Sequence, residues 1–534
     1  MKKLVGLSLL LGLLLNIGGV GSLKAQNNQE IIKQTYKYQR LMALIDAFYV
    51  ENEDINKLTE KAIVKVLSEL DPHSVYISPE EVKDMNEPLE GGFYGIGVQF
   101  NILRDTLMVV STVPGGPSEK VGLHAGDRIV TIDGENVANV GLKNSGVRKR
   151  LKGEKGTRVD LQIRREGENG LMDFVIIRDR IPLYSIDAAY MVDKKIGYIR
   201  LSRFAATSLD EFVAAVKKLQ KQGMKDLIFD LTGNTGGYLG AAIAISDHFL
   251  DKDKMIVYTD GRADIRRDSR ASFKGLFEKG RLVVMVNENS ASASEIVSGA
   301  IQDWDRGVIV GHRSFGKGLV QRQFPLTDSS MVRLTIAHYY TPTGRCIQKP
   351  YNNGLTDYRM DVFKRYASGE LVNKDSIHVA DSLKYKTKIL GRTVYGGGGI
   401  IPDVFVPIDT TKNYSYMNRL AAKNILYPWV VDYVDKNREN LKSKYTTFEK
   451  FDSKFIVTDK MFNDIVAKGE EAGVKKDDKS FPMMKGEIKR QVKAYVARDL
   501  WEMNETFRIL NKKNLIYNRA VKILKDKELR KILK

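Results

Sequence analysis

Hydrophobic residues recur at helical spacing in the first part of the chain. Leu41, Ile45 and Phe48 fall three or four positions apart, and the same spacing returns at Leu58 and Ala62. A stripe of this kind is typical of an amphipathic helix that buries one face. The pattern predicts a helical region over residues 26–88.

A β-rich texture follows. Short runs of β-branched and aliphatic residues occupy positions 96–102, 107–112, 128–132 and 159–164. Turn signals such as Asp133-Gly134 lie between the runs. The pattern predicts a compact β-rich module over residues 89–181.

The next part of the chain alternates strands with helices. Apolar runs at 226–231, 282–286 and 307–311 are each followed by a glycine-rich or polar turn. This alternation predicts an α/β core over residues 182–349 that resumes at 396–410. The polar stretch at 350–395 is interpreted as a loop insertion. Residues 411–534 have a helical, Lys-rich pattern, so the fold class is an α/β multidomain protein with helical N- and C-terminal regions.

The first 25 residues resemble a secretory signal peptide. Lys2 and Lys3 precede an apolar run over residues 4–15, and small residues lead to Ala25. The apolar run is shorter than the roughly 20 residues that span a bilayer. We therefore expect cleavage near Ala25 and export to the bacterial periplasm.

Composition adds a basic charge to this picture. The chain carries 85 Lys plus Arg against 66 Asp plus Glu, a net charge of +19, and 43% hydrophobic residues exclude a mostly disordered chain. Residues 411–534 hold 29 Lys plus Arg against 17 Asp plus Glu. The charge therefore belongs mainly to a C-terminal appendage on a nearly neutral core. We expect the appendage to face solvent, a partner protein or an anionic membrane surface, and we expect no nucleic-acid partner.

The residue inventory gives no indication of a metal site. Cys346 is the single cysteine, and the six histidines form no HExxH pattern. We expect no metal and no cofactor.

Ser292 is a candidate nucleophile. It lies in the segment 289–296, which follows an apolar strand and opens a helix. A serine at such a corner has an exposed hydroxyl near backbone amides and near the positive end of the helix. The alternative is that these serines are only N-cap residues.

Lys317 is a candidate general base. It stands between Gly316 and Gly318, just after the next strand. If its ammonium group is buried, desolvation lowers its pKa and allows the neutral amine to accept a proton. The alternative is a lysine in a surface turn.

Together these two segments resemble the signature of the carboxyl-terminal processing proteases, or tail-specific proteases, of serine peptidase family S41. The resemblance implies a crotonase/ClpP-like α/β core and assigns the nucleophile to Ser292, the base to Lys317 and its supporting amide to Gln321. It places the oxyanion hole at the amides of Ala293 and Gly237, with Gly236 as runner-up. The family usually has Arg and Pro at the positions of Thr232 and Thr235, so the conformation of this loop is open.

The β-rich module resembles a PDZ domain. Tyr94, Gly95, Ile96 and Gly97 are similar to its carboxylate-binding loop, where free backbone amides hold a peptide's C-terminus. Outside this module, the resemblance to the protease family extends to residues 70–74, 339–345 and 399–404. Together, the two resemblances cover most of the chain between the predicted signal peptide and the C-terminal region. They imply protein or peptide substrates bound by their C-termini, and a homo-oligomer or adaptor contact through the helical termini.

Two other functions are open at this point. Ser314 and Lys317 also fit the SxxK pattern of penicillin-binding enzymes, although the flanking glycines disfavour the helix that this pattern requires. A catalytically silent PDZ scaffold with a protease fold is the second alternative.

Overall fold

The computed structural model of the chain describes residues 28–533, apart from positions 104, 114 and 527. The predicted signal peptide at 1–25 lies outside the described residues. The N-terminal region consists of α1 (Asn28–Phe48), α2 (Ile55–Ser68), β1 (Val75–Ile77) and α3 (Pro79–Glu90). In the described part of the chain, no helix is both long and apolar enough to cross a membrane.

The β-rich module is built on one sheet with the strand order β3-β4-β5-β7-β8 and β6 beside β5. Alternate residues of β7, Val159, Leu161 and Ile163, are buried under α5. A separate pair, β2 and β9, joins the module to the core. Its elements are β2 (Gly92–Gly95), β3 (Val98–Leu103), β4 (Thr106–Thr112), α4 (Pro117–Lys120), β5 (Arg128–Ile132), β6 (Glu135–Asn136), α5 (Asn144–Leu151), β7 (Arg158–Arg164), β8 (Met172–Ile177) and β9 (Asp179–Pro182).

The α/β core contains two sheets. The main one has the order β10-β11-β12-β15-β16-β21 and is parallel from β11 onward. In the second, β1 from the N-terminal region pairs with β18. The core elements are β10 (Ile186–Met191), β11 (Ile196–Leu201), α6 (Ser208–Lys221), β12 (Asp226–Asp230), α7 (Leu239–Asp247), β13 (Met255–Asp260), β14 (Arg267–Arg270), β15 (Leu282–Val286), α8 (Ala293–Asp303), β16 (Val308–Gly311), β17 (Leu319–Pro325) and β18 (Met331–Tyr340), with β21 (Val404–Phe405) arriving later in the chain.

The main sheet positions the site. The strands β12 and β15 are completely buried and lie side by side in parallel, so their carboxyl ends meet at one edge. Ligand sites of α/β sheets form at such edges. The loops that follow these two strands carry Gly236, Gly237 and Ser292.

The segment 350–395 has more structure than a loop. It contains α9 (Leu355–Arg359), α10 (Asp361–Ala367) and the hairpin of β19 (Lys384–Lys386) with β20 (Thr393–Tyr395). Buried polar anchors replace a hydrophobic stripe in this segment, which is why its sequence shows little periodicity.

The C-terminal region is helical and has a hydrophobic core of its own, which includes Trp429, Phe451 and Ile488. It also contacts the β-rich module, where Met108 and Val110 pack on Val431. Its helices are α11 (Ser415–Ala422), α12 (Leu426–Lys444), α13 (Phe448–Lys454), α14 (Asp459–Glu471), α15 (Phe481–Leu500), α16 (Met503–Leu510), α17 (Leu515–Lys525) and α18 (Leu529–Ile532).

One helix of this region, α17, packs directly on the α/β core. The helix α17 buries Ala520, Ile523 and Leu524 against the face of the main sheet opposite α6, α7 and α8. Arg281 Nη1 donates to Leu524 O at 2.6 Å. The sequence interpretation of the whole region as separate from the core therefore needs correction, because the apolar stripe of α17 completes the core.

Candidate active site

Ser292 lies at the corner between β15 and α8. Its φ of 56° and ψ of −113° are a conformation that a residue with a Cβ rarely adopts. The corner is held by Ser290 Oγ, which donates to Leu231 O at 2.8 Å, and by Ala291 N, which donates to Asn234 O at 3.0 Å. The Ser292 side chain therefore stays partly exposed beside the N-terminus of α8.

Glu295 connects the nucleophile corner to the lysine loop. Its side chain is fully buried, and its carboxylate accepts hydrogen bonds from Ser292 N at 2.8 Å, Gly316 N at 2.7 Å and Lys317 N at 2.9 Å. Burial raises the pKa of Glu295, while these bonds favour the ionised form. One carboxylate thus fixes the backbone of both candidate catalytic residues.

A second buried side chain, that of Tyr339, bonds to the same two residues. The hydroxyl of Tyr339, on β18, lies 3.0 Å from Ser292 O and 2.6 Å from Lys317 O. Burial raises the pKa of this hydroxyl, so it remains a neutral donor. Ser292 and Lys317 are therefore brought together.

Lys317 lies in a largely desolvated position. Burial and the charge of Arg333 lower its pKa to about 8, against the opposing effects of Glu295 and Asp71. Its Nζ donates to Gln321 Oε1 at 2.9 Å. No direct hydrogen bond joins Ser292 Oγ to Lys317 Nζ among the described contacts. Such bonds often tighten only when substrate binds.

Gln321, on β17, is held at both ends of its amide. Its oxygen accepts from Lys317, and its Nε2 donates to His73 O at 2.5 Å. The structure therefore places Gln321 in direct contact with Lys317, and it links Lys317 to Ser292 through Glu295 and Tyr339. The catalytic roles stay predictions.

The glycine loop after β12 lies against the nucleophile corner. A Cβ on Gly236 would stand 2.8 Å from the Cβ of Ser292, and one on Gly237 would stand 2.1 Å from Phe204 O. With φ values of 108° and 147°, both positions require glycine. Gly236 N donates to Asn234 Oδ1 at 2.9 Å, whereas Gly237 N and Ala293 N have no partner among the described residues. The free pair is thus Gly237 and Ala293.

Arg200, from β11, bonds to the loop after β12, in which this sequence differs from the usual family pattern. Its Nη1 donates to Thr232 Oγ1 and its Nη2 to Thr232 O, both at 2.9 Å. The same guanidinium pairs with Asp230 at 2.7 Å. A neighbouring strand therefore supplies an arginine to the loop in which Thr232 stands.

Ser314 is buried and fully bonded. Its hydroxyl donates to Glu295 Oε1 at 2.5 Å and accepts from Ile400 N at 2.6 Å. Gly316 has a φ of 89°, and the residues between β16 and β17 form no helix. The helical face that the SxxK pattern requires is absent from this segment.

The β-rich module contains an apolar groove of about 390 Å³ between its first strands and α5. Ile96 and Gly97 line it, together with Val98, Phe100 and Leu151. Tyr94 and Gly95 do not line the groove, because they lie in β2 and pair with Arg180 and Asp179 of β9. Of the four predicted loop residues, Ile96 and Gly97 line this groove, and the role of the loop in binding a C-terminus stays a prediction.

A cationic side chain, that of Lys152, also lines this groove. Lys152 forms ion pairs with Asp84 at 3.0 Å and with Glu87, both on α3. Its Nζ also lies 5.1 Å from the centre of the Phe93 ring.

Sequence reasoning missed the residues that hold the site. Glu295, Asn234 and Tyr339 bond to the catalytic segments without being candidates for the chemistry. One signal was present, since Glu295 follows Ser292 by three residues, as in a capping box. Among the described residues, no cluster of three or more His, Cys, Asp or Glu side chains is arranged to hold a metal ion.

Comparison with known proteins identifies three parts of the chain. The model of peptidase family S41 matches residues 195–357, a PDZ-domain model matches 95–174, and a family of unknown function matches 416–502. A solved structure of a photosystem II D1 C-terminal processing protease is 28% identical and covers 59% of this chain and 90% of its own, with a TM-score of 0.34.

Curated relatives extend the match. A carboxy-terminal-processing protease of Bartonella bacilliformis is 38% identical over 61% of this chain and 75% of its own length. The carboxy-terminal processing protease CtpB of Bacillus subtilis is 35% identical over 61% of this chain and 68% of its own. The chain therefore belongs to peptidase family S41, as a serine-type carboxy-terminal processing protease with a PDZ domain.

Proposed function

We propose that the protein is an exported endopeptidase that works with a Ser–Lys dyad and selects substrates by their C-termini. The observation that carries the dyad is the placement of Ser292 and Lys317 on the same two buried groups, Glu295 and Tyr339. The pKa of Lys317, lowered to about 8, keeps a fraction of the amine neutral near pH 7.

The proposed reaction is acyl transfer. Neutral Lys317 takes the proton of Ser292 Oγ while this oxygen attacks the scissile carbonyl carbon. The amides of Gly237 and Ala293 hold the resulting oxyanion. Collapse of the intermediate breaks the C–N bond, and the Lys317 ammonium gives its proton to the leaving amine. Water, with Lys317 again as base, then hydrolyses the ester on Ser292.

Site-directed variants test the dyad. We expect Ser292→Ala and Lys317→Ala to lose cleavage of an unfolded protein substrate by at least about a thousandfold. Ser314→Ala is the comparison, because the hydroxyl of Ser314 is buried and is already bonded to Glu295 and to Ile400 N. Cleavage that survives Ser292→Ala but is lost in Ser314→Ala would overturn the assignment.

The apolar groove supports recognition of C-termini. A peptide added as a strand at this edge would place its terminal carboxylate near the backbone at Ile96 and Gly97. We expect a substrate with an apolar free C-terminus to be cleaved at least about tenfold faster at low concentration than the same substrate with a C-terminal amide. Phe100→Asp should remove the difference, whereas equal rates for both substrates with the unmodified protein would contradict the proposal.

Export rests on the pattern of residues 2–25, which lie outside the described residues. Edman sequencing of the protein recovered from a periplasmic extract checks it, and the expected first residue is Gln26.

Self-association is proposed through the N-terminal region. The helix α1 exposes Ile31, Ile32, Tyr36 and Leu41, and Phe48 is 80% exposed. Sedimentation velocity of the mature protein, with and without residues 28–50, tests this. A monomer in both forms would exclude the contact.

A further inference from the structure

The segment 350–395 reaches the candidate catalytic lysine through Tyr358. This residue, on α9, is 4% exposed, and its hydroxyl lies 2.8 Å from His73 Nε2. Its ring also meets the His73 ring edge-on, with the centroids 5.3 Å apart. Tyr358, in the segment 350–395, therefore fixes the side chain of His73.

His73 in turn bonds to Gln321, the residue that accepts the hydrogen bond of Lys317. Its carbonyl oxygen accepts the hydrogen bond from Gln321 Nε2, and Gln321 Oε1 accepts the bond from Lys317 Nζ. Burial lowers the pKa of His73 to about 4, so its ring is neutral near pH 7 and has one donor and one acceptor nitrogen. A continuous series of contacts therefore runs from Tyr358 to the Lys317 amine.

A second contact fixes the loop that carries the lysine. Arg365, on α10, is 3% exposed and donates Nη1 to Ser314 O at 2.7 Å and Nη2 to Phe315 O at 3.2 Å. It is balanced by an ion pair with Asp361 at 2.9 Å. The backbone just before Lys317 is thus held by the segment 350–395 on one side and by Glu295 on the other.

Lys349 joins these two contacts. Its Nζ lies 3.8 Å from the centre of the Phe315 ring and 4.1 Å from that of Tyr358, and it pairs with Asp361 at 3.0 Å. Lys349 therefore links α9 and α10 to the lysine loop as one unit.

We propose that the segment 350–395 is a positioning element for the general base, in which Tyr358 sets the place of Lys317 through His73 and Gln321. Tyr358 is a positioning residue, since it touches neither Lys317 nor Ser292 in the contacts described. The inference rests on the proposed role of Lys317 as general base.

The pH profile of kcat/KM for Tyr358→Phe tests this. The variant keeps the buried ring and removes only the hydroxyl. The charged and titratable groups that face Lys317 are Arg333 on β18, Glu295 on α8, and Asp71 and His73 before β1, and none of them is substituted. A less firmly held amine gains solvent, so we expect the acid limb to move to higher pH and kcat at pH 7 to fall about tenfold, with KM unchanged.

Phe363→Ala is the matched control. Phe363 lies on α10 in the same segment and is 67% exposed. We expect its profile to superimpose on that of the unmodified protein. If Tyr358→Phe only destabilised the protein, kcat/KM would fall by the same factor at every pH and the acid limb would stay in place.

A double-mutant cycle with Gln321→Ala tests the route. If Tyr358 acts through Gln321, adding Tyr358→Phe to Gln321→Ala changes kcat by less than about twofold. Two effects that multiply would overturn the inference, as would a Tyr358→Phe profile identical to that of the unmodified protein. If Lys317→Ala remained active, the proposed function would fail instead, and that result identifies which of the two proposals is wrong.

Discussion

At the residue scale, the site depends on groups that do no chemistry. Glu295 accepts bonds from Ser292 N, Gly316 N and Lys317 N, and Tyr339 spans the carbonyls of Ser292 and Lys317. A buried carboxylate with several N–H donors is costly to disturb, because each donor left without a partner loses its hydrogen bond. The placement of the Ser292 and Lys317 backbones therefore depends on the buried residues beneath them.

The ionisation of Lys317 predicts an acid-side loss of activity. Only the neutral amine accepts a proton, and the pKa of Lys317 is lowered to about 8. With chemistry limiting, kcat/KM should fall roughly tenfold per pH unit below about pH 8 and level off above it. Stopped assays from pH 5 to 10 measure the profile, and a rate that stays constant down to pH 5 would contradict the assignment of the base.

Glu295→Gln should lower the stability of the folded protein. An amide presents two N–H donors to neighbours that are themselves donors, so at least one bond is lost. We expect the free energy of unfolding to fall by about 2–3 kcal/mol in urea titrations. Glu166→Gln, on the exposed surface of the β-rich module, is the control and should change it by less than about 0.5 kcal/mol.

At the element scale, the sequence predicted elements with a strong period and missed those held by polar anchors. The alternation of Val159, Leu161 and Ile163 in β7 reflects a half-buried strand, and the apolar runs of β12 and β15 reflect strands covered on both faces. The segment 350–395 has no such period. Its structure depends on Tyr358 and Arg365, whose partners are distant in the sequence.

The candidate site shows the same division. Ser292 and Lys317 were candidates because of the segments in which they lie, whereas Gln321 and the amide of Gly237 were named only from the family resemblance. Their roles stay predictions. The bond from Gln321 Nε2 to His73 O was not predictable, because it depends on how segments that are distant in the sequence meet.

The helix α17 should contribute strongly to stability. Ile523 is fully buried against the main sheet, whereas Lys522 on the same helix is exposed. Ile523→Ala should lower the free energy of unfolding by about 2–4 kcal/mol, through lost burial and a cavity. Lys522→Ala should change it by less than about 0.5 kcal/mol. Equal, small effects in urea titrations would show that α17 is not part of the core.

At the scale of the whole molecule, much of the basic charge of the C-terminal region is neutralised internally. Its ion pairs include Arg419–Asp477, Lys489–Asp459 and Lys512–Asp452. Such surface pairs contribute little to stability, but they reduce the field available to a distant anion. The net charge of +19 already includes these acidic partners, so an excess of 12 positive charges (29 minus 17) remains over residues 411–534.

Salt at physiological strength screens exposed charges, so we expect weak membrane association. In about 0.15 M salt, the mature protein should stay in the supernatant when vesicles with anionic lipids are sedimented, and vesicles of neutral lipid give the baseline. Salt-sensitive co-sedimentation with the anionic vesicles alone would instead assign the basic surface to a membrane.

The position of α17 in the chain has a consequence for how the protein matures. The strands β10 to β16 emerge from the ribosome well before residues 515–525, so one face of their sheet has no helical cover until late in synthesis. Until α17 is made, the apolar residues on that face of the sheet, such as Ile228 and Val283, lack the cover of Ile523 and Leu524. A chain that stops before residue 515 should therefore expose this face and aggregate.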